Sequence, residues 1–222
     1  MRRFSSFLLF YIMINGCAYD RADARSPDAE KPTVIKTQTY AYECPDGFGF
    51  VARTEADTVW LFLPGNTIDL PRITSASGVK YSKGGHFFQA EGDRAMIVSS
   101  TAKHTGCMNN RAKAIWEHAK LNGVDFRATG NEPGWYLEIS NKTDILLVAD
   151  YGEHTYQFKS ATIQSEAQDR TSVYNATNNG DTIEVVITGT PCQDSMSGEK
   201  FSAKVSVLVN DRRYDGCGKA LH

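Results

Sequence analysis

From Tyr40 to Ser100 the chain breaks into short apolar or alternating runs, and a glycine or proline closes most of them. Tyr40–Cys44, Phe48–Ala52, Thr58–Leu63, Ile68–Ile73, Gly78–Tyr81, His86–Ala90 and Arg94–Ser99 read as strands. Pro64-Gly65-Asn66 and Lys83-Gly84-Gly85 are turn signals, the second of the hairpin kind that needs positive φ. Short strands joined this tightly bury their apolar faces only in an antiparallel sandwich or barrel. After residue 124 the pattern is again β-rich. Ile183, Val185 and Ile187 share one strand face, as do Ala203, Val205, Val207 and Val209. Trp135–Ile139 and Ile145–Ala149 read as two further strands. The one good helix spans Asn109–Asn122, with Asn109 or Asn110 as its cap and Asn122-Gly123 as its stop. Ala112, Ile115, Trp116 and Ala119 are spaced to form its apolar face.

The N-terminus is a targeting segment. Arg2-Arg3 precedes an apolar stretch, Phe4–Ile14, that is too short to cross a bilayer as a helix. Ile14-Asn15-Gly16-Cys17 resembles a bacterial lipobox, which implies cleavage after Gly16 and acylation of Cys17. A plain secretory signal is the alternative. Ala18 after the cysteine, where inner-membrane retention usually has Asp, implies the outer membrane with the protein facing the periplasm. The following residues, poor in large apolar side chains, read as a tether. Of five cysteines, Cys17 takes the lipid and four remain, an even number suited to an oxidising compartment. Their order suggests Cys44–Cys107 and Cys192–Cys217 among three possible connectivities. A zinc site lacks the necessary Cys and His spacing.

A formal net charge of −2 and the lack of an arginine-rich patch argue against nucleic acid as a partner. No Gly-x-Ser-x-Gly, helical His pair or phosphate loop is present, so nothing in the chain points to catalysis or to a cofactor. Glu132 before Pro133-Gly134 and Asp194-Ser195 beside Cys192 both read as turn chemistry.

Two loops carry the functional signal. The first is Ser77-Gly78-Val79-Lys80-Tyr81 and the second is Glu91-Gly92-Asp93-Arg94-Ala95. Together, between two cysteines and among short strands, they resemble the membrane-bound and periplasmic inhibitors of c-type lysozyme. In that family a Ser-Gly-x-x-Tyr motif is followed by a Lys-Gly-Asp-Glu-Ala-like one. Here the lysine has become Glu91, and the preceding Ser or Thr has become Ala90. The resemblance covers roughly Tyr40–Cys107. It implies a small antiparallel β-barrel, the Cys44–Cys107 pairing, c-type lysozyme as partner, and binding through Ser77, Gly78, Tyr81, Glu91 and Gly92. With Glu91 of the wrong sign for a carboxylate-lined cleft, weak inhibition is expected. Lys80 and Lys83 are the neighbouring cations in sequence.

The later stretch Phe126–Trp135, with Cys192-x-Asp194-Ser195 and Gly216-Cys217-Gly218, resembles a bacterial envelope-lipoprotein domain that carries no activity with it. The chain is therefore expected to be mostly β. The expected parts are a signal peptide at 1–16, a tether at 17–34, a lysozyme-inhibitor-like barrel at 35–108, a linker helix at 109–123 and a second β-rich domain at 124–222. Its expected role is that of a lipid-anchored inhibitor. The alternative is an envelope binding or structural lipoprotein that keeps the fold without strong inhibition.

Overall fold

The computed structural model describes residues 37–222. The signal peptide, Cys17 and the tether lie outside the described residues.

Eight antiparallel strands form a closed barrel in which each pairs with the next. They are β1 Gln38–Glu43, β2 Gly49–Glu55, β3 Thr58–Leu63, β4 Asn66–Ile73, β5 Val79–Lys83, β6 His86–Glu91, β7 Arg94–Val98 and β8 Lys103–Asn109. Alternation along each strand sends one set of side chains inward. Tyr42, Phe50, Ala52, Val59, Leu61, Leu70, Tyr81, Phe88, Ala95, Ile97 and Cys107 make that interior core. The rings of Tyr42 and Phe50 stack at 5.2 Å, and Phe88 meets both edge-on at 6.0 Å. Ala52 and Ala95 leave room for these rings in a barrel of this size, where side chains fill the whole lumen.

The barrel closes at a narrow seam. β1 pairs with β2 through six residue pairs but with β8 only through Tyr42↔Asn109 and Glu43↔Met108. The Cys44–Cys107 disulfide lies beside that seam and ties its two strands together.

Helix α1, Arg111–Leu121, follows β8 directly. The Asn110 side chain caps it by accepting from the Lys113 amide at 3.1 Å, and Gly123 at φ +79° ends it. Its buried residues are Ala114, Trp116 and Ala119, whereas Ile115 is 52 % exposed and Ala112 is exposed too. The single apolar stripe expected from spacing is thus corrected. The helix is wedged between two bodies rather than laid on one. Trp116 turns to Phe201 of a small hairpin in the C-terminal half (5.1 Å between rings), and His118 turns to Thr39 of β1 (3.0 Å).

The remainder is a nine-stranded antiparallel sheet in the order β12-β11-β10-β9-β19-β18-β15-β14-β13. Its members are β9 Val124–Asn131, β10 Gly134–Ser140, β11 Asp144–Ala149, β12 His154–Phe158, β13 Thr162–Glu166, β14 Thr171–Asn178, β15 Asp181–Thr188, β18 Ala203–Val209 and β19 Arg212–Ala220. A small hairpin of β16 Cys192–Gln193 and β17 Lys200–Phe201 is stapled to β19 by Cys192–Cys217. Both disulfides are the pairs expected from their order.

The sheet curls into a half-barrel around Trp135, Leu137, Ile139, Ile145, Leu147, Val185, Val205, Val207 and Tyr214. Asn178 Nδ2 donates to the Gln157 carbonyl at 2.8 Å, bridging β14 and β12 across the open side. Asp194 is buried as a turn residue, accepting from the Met196 and Ser197 amides.

Candidate functional site

In a barrel built strand after strand, alternate connections open on alternate rims. The loop from β4 to β5 carries Ser75–Gly78, and the turn from β6 to β7 carries Gly92-Asp93. They are two connections apart and so share a rim. The Gly84-Gly85 turn opens on the other rim. The shared rim is also where β8 leaves for α1.

Gly78 brings the two loops into contact. Its φ is +64°, and a Cβ built there would lie 2.6 Å from the Ala90 carbonyl oxygen and 3.4 Å from Glu91 Cβ. Only glycine lets the first loop seat directly on the start of the second turn. Val79↔Ala90 is then the first register pair of the β5–β6 hairpin. Ser77 beside it is exposed, and its hydroxyl makes no hydrogen bond among the described residues. Its carbonyl is held by Ser75 Oγ.

Beneath the loop, Tyr81 is 3 % exposed and packs against Phe88 in the barrel core. Burial pushes its phenol upward from its usual range. Tyr81 therefore supports the loop from below and offers no surface to a partner. Tyr42 lies deeper, its phenol also raised by burial.

The two acids of the second turn have separate environments. Asp93 is committed to the fold. Arg111 Nε lies 3.1 Å from its Oδ1, and Asn109 Nδ2 lies 3.2 Å from the same oxygen. The Asn109 amide donates to the Asp93 carbonyl at 2.8 Å. The Arg111 guanidinium, with Asn109, holds the Asp93 carboxyl below the usual carboxylate range. Glu91 and Gly92 are exposed, Gly92 at φ +57°.

The two lysines near this turn in sequence lie apart from it. Lys83 sits at the far end of its strand, bonded to Asp69 at 2.8 Å. Lys80 faces outward opposite Gln89, one outward row away from Glu91. Arg94 was not singled out by sequence. It is the register partner of Glu91 across the turn, and both are exposed. The spacing Glu-Gly-Asp-Arg carries the signal, because a two-residue hairpin loop pairs its flanking residues.

Residues 42–105 match the family model of the membrane-bound lysozyme-inhibitor of c-type lysozyme. This segment is similar to that inhibitor family. The match runs from the end of β1 into β8 and includes both loops of the rim. It covers less than a third of the chain and leaves α1 and the nine-stranded sheet outside it. No curated protein and no solved structure matches the chain.

Beside the matched segment, a cleft of about 660 Å³ opens between β1, α1 and the second sheet. Asp93, Arg111, His118, Arg127 and Glu138 are the charged or titratable side chains that line it. Arg127 pairs with Glu138 and lies over the Tyr136 ring at 4.5 Å. These charges are matched within the cleft. On the exposed rim, by contrast, the Ser77 and Glu91 side chains make no hydrogen bond or ion pair among the described residues.

Proposed function

We propose that this protein is an envelope lipoprotein that binds and inhibits c-type lysozyme by placing the Ser77 loop in the enzyme's cleft. The observation that carries this reading is the seating of Gly78 on Ala90–Glu91, which joins the two motif loops into one exposed rim inside the family-matched segment. A lysozyme cleft holds a catalytic acid and a second carboxyl group. A plug that buries them must supply donors, because an unpaired buried charge is costly. The Ser77 hydroxyl, without a partner among the described residues, is free to donate to one of them. Tyr81 keeps the loop raised, and the Asp93–Arg111 pair keeps the second turn in place.

The test is lysis of a bacterial cell-wall suspension by a c-type lysozyme in the presence of the purified chain. Inhibition is expected, and Ser77→Ala is expected to weaken it roughly tenfold, the value of one hydrogen bond to a charged group. A chain that leaves lysis unchanged at a large excess overturns the reading.

The anchor belongs to the same proposal. Acyl chains on Cys17 would hold the inhibitor at the outer membrane, each buried CH₂ contributing roughly 0.8 kcal/mol. Among the described residues no helix is long and apolar enough to cross a membrane. Cys17→Ser is expected to move the protein from the membrane fraction to the soluble periplasmic fraction. Unchanged partitioning would refute the lipid anchor.

A further inference from the structure

The second carboxyl group of the cleft needs a donor or a cation, and Ala90 and Glu91 supply neither. Several positive side chains lie on the elements that reach this rim. Arg111 is engaged by Asp93, and Lys113 by Glu43 at 3.3 Å. Lys80 is a row removed from the turn. Arg72 is exposed and also makes no ion pair among the described residues, but it pairs in register with Tyr81 on β4 and not with the second turn.

Arg94 stands differently. Ala95 and Ile97 face the core of β7, so Arg94 projects from the outer face. Phe88 and Ala90 face inward on β6, so Glu91 projects from that same outer face. The two are directly opposed, and the row continues through Met108, 48 % exposed, to Glu43. Among the described residues Arg94 makes no ion pair. It is therefore an exposed cation one strand from the seat of Gly78, in register with Glu91 but not bonded to it.

We infer that Arg94 is the cation that meets the second carboxyl group of the lysozyme cleft. This rests on the inhibitor reading above and adds the group that decides how tightly this rim binds. A guanidinium suits the task, since its planar fork meets a carboxylate with two parallel N–H donors. The rim thus keeps one acid and one base across the turn, and the base lies on β7.

The experiment is a lysozyme-inhibition titration with the full chain and a set of substitutions, each checked by a circular-dichroism melt. Arg94→Ala is expected to weaken inhibition roughly tenfold or more, and Arg94→Lys to restore part of the loss without the bidentate contact. Arg72→Ala should change it less than about threefold, as expected of a group outside the contact. Glu91→Lys places a cation on β6 directly. In that background Arg94→Ala should therefore cost less than in the native chain, a non-additive cycle that a merely structural role for Arg94 would not produce.

If Ser77→Ala weakens inhibition while Arg94→Ala and Arg94→Lys do not, the inference fails and the inhibitor reading stands. A larger loss from Arg72→Ala than from Arg94→Ala also overturns it. If the native chain does not inhibit at all, the reading and the inference fall together.

Discussion

At the scale of single residues, Gly78 has the most demanding position on the rim. Two separate constraints act on it, a left-handed backbone and a carbonyl within 2.6 Å of where a Cβ would stand. Gly84, on the opposite rim at φ +58°, has the first constraint without the second. Gly84→Ala should therefore lower stability by about 1 kcal/mol, the left-handed cost alone. Gly78→Ala should cost at least about 1 kcal/mol more, because the Ala90 backbone cannot move aside like a flexible side chain. Paired thermal melts measure the difference. The same substitution should weaken lysozyme inhibition, since the relief of the clash displaces Ser77 from the turn. Equal losses at the two glycines would show that the loops are not seated on each other. Position 78 is legible in sequence as a turn glycine, but the carbonyl it faces is not. That carbonyl arrives from a strand whose register is set elsewhere in the barrel.

At the scale of elements, α1 is the junction between the barrel and the second sheet, and His118 is its titratable contact. Burial comes first in lowering the His118 pKa from its usual range, and the nearby Arg53 and Arg127 add to this against the opposing Glu138. The imidazole bonds Thr39 Oγ1 at 3.0 Å and Asn122 Nδ2 at 2.9 Å. A histidine whose folded pKa is depressed contributes stability that is present above its unfolded pKa. That contribution is lost as pH falls through the folded value. The junction should therefore weaken below about pH 6.5, with amide exchange rising in α1 and at Thr39. His118→Gln should flatten that dependence. Asp93 behaves otherwise. Its pKa is also depressed, so its bond to Arg111 persists down to the acid side of the usual carboxylate range, and the rim turn should hold across the pH range in which the junction loosens. Loss of exchange protection at Asn109 in step with α1 would contradict this separation.

At the scale of the whole molecule, the barrel depends on closing a seam of two residue pairs. Cys44–Cys107 spans 63 residues and stands beside that seam, whereas Cys192–Cys217 spans 25 and fastens the small hairpin to β19. Restricting the unfolded chain over the longer loop is worth on the order of 4 kcal/mol in a chain-entropy estimate. Replacing both Cys44 and Cys107 by Ala should raise amide exchange along β1 and β8 and abolish inhibition near the melting range. Replacing Cys192 and Cys217 should leave barrel exchange unchanged. Exchange that rises equally in both sheets would show that the seam is not the barrel's weak point.

Local chemistry alone determines much of this molecule. Alternation in Ala203–Val209 marks a strand, because one face is buried and the other is not, whereas Thr58–Leu63 and His86–Glu91 read as strands from apolar and aromatic enrichment between turn signals. The cap at Asn110 and the stop at Gly123 are equally local, and the order of the four cysteines suggests their pairing without fixing it. The strands that escape such reading have physical reasons to do so. β13 is exposed along its whole length and so shows no period. β19 carries Gly216 and Gly218 at its centre, where a Cβ would meet the Thr129 and Arg127 carbonyls of β9. Those glycines read as breakers until β9 lies against them. The two-sided burial of α1, the closure of β8 on β1 and the opposition of Arg94 to Glu91 belong to the tertiary structure. Each depends on which segments meet across the chain, and hydrophobic period, which records only the burial of a residue's own face, carries no record of the neighbour that buries it.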